Sequence, residues 1–295
     1  MHIDPYIVLG SAIIGLLVGM TGAGGGALMT PMLILIFGVT PSAAISSDLV
    51  AAVVMRPFGA AVHLRRGTVN LRLVAWLCAG SVPAAFLGAY FLHLMGNGKA
   101  AQENVKVLLG VALLVGAAAM ILRSILDRRK GPRTIMPVES IPVKPLRTIL
   151  VGVVGGVIVG MTSVGSGSLM IVMLLFLYPV LSANQLVGTD LTQAVPLTMA
   201  AAIGALIFGH VQFGVTLSLI IGSVPAVLVG AYFSSRAPDA WIRPIITFAV
   251  LASGLKYVGL STTALGWALV GVLAAGFVSW VVVRKPWRDP IPASR

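Results

Sequence analysis

Three ionisable residues, Asp48, Arg56 and Asp190, lie within long apolar runs of this sequence. A charge buried in an apolar span is costly, so each marks a functional position by default. Asp48 and Asp190 stand near the starts of two related runs. A carboxylate there can cap a helix or carry a proton, and both readings stay open. Arg56 follows Asp48 by eight residues and lies near the centre of its run. It could select anions, or it could pair with Asp48 or with backbone carbonyls. His63, His210 and Lys256 fall near run ends, and the tryptophans, Trp76 among them, read as interfacial anchors.

A second set of residues offers backbone rather than side-chain chemistry. "VGMTGAGGGALMTP" (Val18–Pro31) clusters Gly19, Gly22, Gly24, Gly25 and Gly26 in an otherwise apolar segment. Glycine costs a helix interior about 1 kcal/mol relative to alanine, so the cluster predicts a break. Gly22, Ala23, Gly24, Gly25 and Gly26 form one candidate loop, and Ser163, Val164, Gly165, Ser166 and Gly167 form another. Glycine lets backbone approach a ligand closely. The helix that follows each loop turns its free N–H groups and positive dipole end toward an anion. Small residues also serve close helix packing, and duplication of the cluster favours a site over that alternative. "GAGGGA" followed by Asp48 fits a dinucleotide fingerprint on paper. That fingerprint needs a strand before it and an α/β sheet around it, and the hydropathy excludes both.

The elements that must position these residues are membrane helices. The chain has 295 residues, 58% of them hydrophobic and only 9% charged, with mean hydropathy +1.03. Runs such as Val107–Leu126 and Ala264–Val283 reach the ~20 apolar residues that span a bilayer. They lack the alternation of a β-barrel. The net charge of +12 sits at run ends, which points to membrane topology and not to nucleic acid. The single cysteine, Cys78, excludes an internal disulfide, and no cofactor or metal is expected. "MHIDPY" lacks the basic start of a signal peptide, so the first run is expected to be retained.

The chain contains one unit twice. "VGMTGAGGGALM" (Val18–Met29) returns as "VGMTSVGSGSLM" (Val159–Met170), and "GSVPAAFLGAYF" (Gly80–Phe91) as "GSVPAVLVGAYF" (Gly222–Phe233). "SSDL" (Ser46–Leu49) matches "GTDL" (Gly188–Leu191), and "GTVN" (Gly67–Asn70) matches "GHVQ" (Gly209–Gln212). Asp48 thereby pairs with Asp190, while Arg56 pairs with Thr198 and is unduplicated. Each unit carries five segments, at about 6–20, 27–38, 43–64, 71–94 and 104–126, then 147–161, 168–181, 184–208, 215–234 and 243–260. A last run at 263–283 has no counterpart. The organisation read from this is a first repeat over 1–126, a basic cytoplasmic linker over 127–146, a second repeat over 147–260, and an extra transmembrane helix with a basic tail over 261–295. Basic residues in the linker, in the loop holding Arg65 and Arg66, and in the tail place all three in the cytoplasm. The N-terminus is then outside, and an odd number of segments per unit inverts the second unit relative to the first. The expected fold is an all-α integral membrane protein of inverted five-segment repeats. Its first two segments in each unit are short and interrupted, the sequence pattern of a transporter binding site.

At these residues the sequence resembles the sulfite exporter TauE/SafE family. The matching features are "GAGGGALMTPML" (Gly22–Leu33), its copy "VGSGSL" (Val164–Leu169), "GTDL", "GTVN" and "GAYF". The resemblance implies a secondary transporter of the bacterial cytoplasmic membrane, exporting sulfite or an organosulfonate. Gly22–Gly26, Ser163–Gly167 and Arg56 would hold the anion, and Asp48 and Asp190 would couple protons. A passive anion channel on the same scaffold is the alternative. The partners expected are a small anion and the lipid bilayer, with a homodimer compatible with the large apolar surface. A lipid-acting enzyme would need a nucleophile–base or metal constellation, and four histidines and one cysteine do not assemble one.

Overall fold

The computed structural model describes residues 3–21, 25–96, 98–129, 141–233, 239–261 and 263–271. These form α1 (Pro5–Thr21), α2 (Gly26–Leu35), α3 (Pro41–Arg65), α4 (Leu71–Leu94), α5 (Lys99–Arg129), α6 (Pro145–Thr162), α7 (Leu169–Leu177), α8 (Ala183–Phe208), α9 (Phe213–Phe233) and α10 (Asp239–Tyr257). Residues 263–271 are also helical; the rest of the last apolar run lies outside the described residues. No strand occurs among the described residues, where the one bridge joins Gly165 to Gly167.

Local chemistry sets the helix ends. Asn70 caps α4 by accepting from the Leu73 amide at 2.9 Å. Ser182 and Gln185 close a capping box on α8, with the Ser182 amide donating to Gln185 Oε1 at 2.8 Å. Pro41 and Pro145 sit in the first turns of α3 and α6, where the missing N–H costs nothing. Six helices, α3, α4, α5, α6, α8 and α9, are long and apolar enough to cross a membrane. By contrast α2 has 10 residues and α7 has 9. At 1.5 Å per residue they reach about 15 Å, half of the ~30 Å hydrocarbon thickness.

The segments preceding them are longer than their sequence suggests. α1 has 17 residues and α6 has 18, each starting at a proline one or two residues before the run read from the sequence. α6 is of spanning length, whereas α1 falls just short of it and α2 and α7 are shorter still. The interruptions lie where the glycine clusters predict them, and the chain doubles back at each. Gly10 near the start of α1 packs on Met32 and Phe37 at the far end of α2. Gly155 of α6 likewise packs on Met170 and Met173 of α7.

Helix pairing is nearly unchanged when the two units are exchanged. α4 packs on α6 as α9 packs on α1, α4 on α8 as α9 on α3, and α5 on α7 as α10 on α2. The contacts match residue by residue. Gly156 fits against the Ser81 carbonyl, where an added Cβ would come within 2.5 Å. Its counterpart Gly15 fits against the Ser223 carbonyl, with a Cβ at 2.8 Å. Gly88 lies on Val157 and Gly160, and Gly230 on Leu16 and Gly19. Small residues let these backbones approach, as membrane helix pairs require. The counterpart helices α3 and α8 run antiparallel, since Gly59 meets Leu191 while Gly188 meets His63. α5 and α10 do so as well, with Gly110 on Tyr257 and Gly254 on Leu114.

The loops sort to two ends. One end gathers the α3–α4 loop and the starts of α6 and α8, through Asn70 N–H to Thr189 Oγ1 at 3.4 Å and the packing of Gly188 on Thr68. The other gathers the start of α3, the start of α5 and the α8–α9 loop. Ser42 N–H donates to Gln102 Oε1 at 3.2 Å, and Gln212 N–H to Ser47 Oγ at 3.0 Å. Two apolar clusters fill the interior. One is built on Leu49, Leu77, Met170 and Leu174, the other on Met29, Leu33, Leu109 and Leu219. Leu9, Val111, Leu150 and Ile203 are exposed, as a lipid-facing surface requires.

Candidate functional site

The second bend is defined residue by residue. α6 ends as Ser163 turns into the left-handed region at φ 58°, a conformation uncommon for a non-glycine residue. Thr162 Oγ1 donates to the Ile158 carbonyl at 2.6 Å, and the Val164 amide donates back to Thr162 Oγ1 at 3.1 Å. Gly165 and Gly167 take φ of 122° and 90°, which side chains rarely tolerate. The chain then enters α7, with the Met170 amide donating to the Gly165 carbonyl at 3.1 Å.

At the first bend, Gly22, Ala23 and Gly24 lie outside the described residues. Gly25 is buried and its carbonyl accepts from the Met29 amide at 2.9 Å, opening α2. Gly26 lies directly against the Ser163 carbonyl and hydroxyl, so closely that any Cβ would overlap them. Ser166, Gly167 and Ser168 share a small void with Val18, Ala27, Leu28, Met120 and Ile246. Its volume is about 10 Å³, near the minimum for one water. The two bends therefore face each other. Ser166 and Ser168 turn toward the void, whereas Val164 packs into the apolar cluster around Met29 and Leu109.

The intramembrane charges gather beside these bends. Asp48 and Asp190 are each 1% exposed and Arg56 7%. Neither aspartate caps a helix: Thr40 precedes α3 and Ser182 caps α8, so each carboxylate sits two turns inside. Asp48 Oδ2 accepts from Thr30 Oγ1 and from Ser163 Oγ, both at 2.8 Å. It thus ties α2 of the first unit to the bend of the second, and helps hold Ser163 in its left-handed conformation.

Asp190 has no hydrogen-bond partner at either oxygen among the described residues. The reason is legible in the duplication. The positions matching Thr30 and Ser163 are Ile171 and Gly22, and neither has a hydroxyl. The Gly167 amide, Arg56 and Arg123 are its electrostatic neighbours, with the amide short of good hydrogen-bond geometry. Arg56 lies within range of both aspartates without closing an ion pair to either. The one salt bridge among the described residues is Lys106–Glu103, at the surface.

The structure places Asp48, Arg56, Asp190, Gly26 and Ser163 near one another, with Ser166 lining the adjoining void, and adds Thr30, Arg123 and Gln193, which the sequence does not single out. Arg123 stands in "MILRSIL", an apolar context that signals an embedded cation. Thr30 and Gln193 are lone polar residues in apolar helices and give a weaker signal. Gln193 donates through Nε2 to Ser81 Oγ at 2.6 Å, and its Oε1 has no donor among the described residues. No group of three His, Cys, Asp or Glu that could hold a metal occurs among them.

A multi-pass helical chain with two facing interrupted hairpins and a buried charged centre defines a membrane transporter as the class. The chain belongs to the sulfite exporter TauE/SafE family, whose pattern matches residues 7–257. It is 41% identical over 255 residues to the probable membrane transporter protein YjnA of Bacillus subtilis (strain 168), covering 85% of this chain and 98% of that protein. It is 22% identical to YdhB and 25% identical to YunE of the same organism, both also named probable membrane transporter proteins, over 84% and 86% of this chain and 98% and 97% of theirs. No solved structure matches the chain.

Proposed function

We propose that this protein is a secondary transporter that exports sulfite or a small organosulfonate across the bacterial cytoplasmic membrane. The observation that carries the reading is the meeting of the two bends at Gly26 and Ser163, beside a buried arginine, Arg56, that closes no ion pair among the described residues. The anion binds through Ser166 and Ser168 hydroxyls and the amides opening α2 and α7, with Gly25 and Gly26 on the opposite side and Arg56 supplying the charge. The void is too small for a sulfonate, which suits an occluded state that widens as one repeat moves against the other. Inversion of the repeats is supported by the antiparallel pairing of α3 with α8 and of α5 with α10. The basic residues Arg65, Arg66, Arg72, Lys144 and Arg147 gather at one end, which supports a cytoplasmic assignment for that end and an external N-terminus.

The test is sulfite flux in proteoliposomes together with a thermal-shift panel of sulfite, sulfate, thiosulfate, sulfoacetate and taurine. Saturable flux, counterflow exchange and stabilisation by sulfite or a sulfonate are expected. Non-saturating flux without counterflow would identify a channel instead, and no response to any sulfur anion would remove the substrate assignment.

A further inference from the structure

The transporter reading leaves Asp48 and Asp190 as equivalent proton carriers, and their surroundings are not equivalent. Asp48 is held by two hydroxyl donors. Asp190 has none, and one turn along α8 the amide oxygen Gln193 Oε1 also lacks a donor. Residues three apart on a helix are neighbours on one face. Three buried acceptor atoms on one face of α8 thus stand without a donor among the described residues. Leaving buried polar atoms unpaired is costly. The charged groups near Asp190 are Arg56 on α3 and Arg123 on α5, and the titratable His63 of α3 packs two residues away against Gly188. α7 carries no titratable residue, α6 carries only Arg147 in its first turn, and α4 approaches with Cys78, whose Sγ contacts the Gln193 carbonyl at 4.0 Å.

We propose that Asp190 alone is the proton-binding carboxylate, that Asp48 is a fixed latch between the two units, and that a proton on Asp190 and an anion at Arg56 bind cooperatively. A proton taken from water onto one carboxylate oxygen creates an O–H that Gln193 Oε1 accepts. One proton thereby satisfies two orphaned groups, where a metal cation would need several further oxygen ligands. Once Asp190 is neutral, Arg56 no longer faces its charge and is free to hold an anion. When Asp190 releases the proton, its carboxylate competes with the anion for Arg56. A dianion travelling with one proton keeps net negative charge, so an inside-negative membrane potential drives it outward. This inference rests on the transporter reading for its anion and not for its proton, so two readouts separate the failures.

The first readout is infrared difference spectroscopy of the purified full chain between acid and alkaline pH. A buried carboxylic-acid C=O band is expected in the wild type, lost in Asp190→Asn and kept in Asp48→Asn. In Gln193→Leu the band should shift to higher frequency, because the acid has lost its acceptor. Absence of the band in wild type, or its persistence in Asp190→Asn, overturns the proposal. The second readout is the affinity for methanesulfonate, whose charge does not change with pH. Acidification is expected to tighten binding at least about fivefold, the lower range of typical coupling, and Asp190→Asn should abolish that dependence. A pH-independent wild type, or tightening by sodium at constant pH, would overturn the coupling. Failure of methanesulfonate and sulfite to bind at all would sink the substrate reading while leaving the infrared result to decide the proton site.

Discussion

Asp48 and Asp190 began as the same residue of one duplicated unit and now sit in different chemical settings, because two hydroxyls are present on one side and absent on the other. Thr30 and Ser163 donate to the same Asp48 oxygen, so each removal should cost stability without leaving Asp48 bare. Thr30→Val and Ser163→Ala are each expected to lose about 0.6–2 kcal/mol, read as a lowered thermal midpoint in detergent. The double variant should lose more than the sum, since the last donor goes with it. A double variant no worse than either single one would contradict the latch. Arg56→Gln keeps a polar group of similar length and removes the charge. It should raise the anion concentration for half-maximal flux at least about tenfold while shifting the midpoint little, and unchanged flux would remove Arg56 from the site.

At the scale of helices, matched glycines decide how the two units lock together. Gly88→Val should drive a side chain into Val157 and Gly160, and Gly230→Val into Leu16 and Gly19. Both should lose about 1–3 kcal/mol or more, seen as lower midpoints and aggregation in size-exclusion chromatography. Gly38 has positive φ, unlike those two, but opens onto empty space, so Gly38→Ala should cost only about 1–2 kcal/mol. Similar losses at all three sites would deny the close helix crossing its role. Much of this architecture is legible in the sequence. The repeat anchors, the break at each glycine cluster and the helix order follow from hydropathy and glycine cost alone. The extents of α1 and α6 are legible too, to within two residues at each end. Less legible are the helix starts before Asp48 and Asp190, since Pro41 opens α3 and Ser182 caps α8 from positions that look like loop. Arg56 stands out as an unpaired type in its run, whereas the hydroxyls that distinguish the two aspartates emerge only when contacts across the duplication are visible.

For the molecule as a whole, basic residues gather at one end and the proposed anion site lies between the two bends. On a Cys78→Ser background, Glu103→Cys should react with an impermeant maleimide in intact cells, and Arg66→Cys only after permeabilisation. The reverse pattern would invert the orientation, and equal labelling would deny that the two ends lie on opposite sides. The meeting of the Gly26 and Ser163 bends yields a transport site only if an anion passes between them. Ser166 is 5% exposed and lines the void there, so leucine at this position overfills the space an anion would use. The decisive measurement is sulfite flux into proteoliposomes for wild type and Ser166→Leu at matched incorporation, with thermal midpoints recorded beside it. The expected result is saturable flux in the wild type and its loss in a folded variant. Equal flux from both proteins would contradict a pathway between the bends.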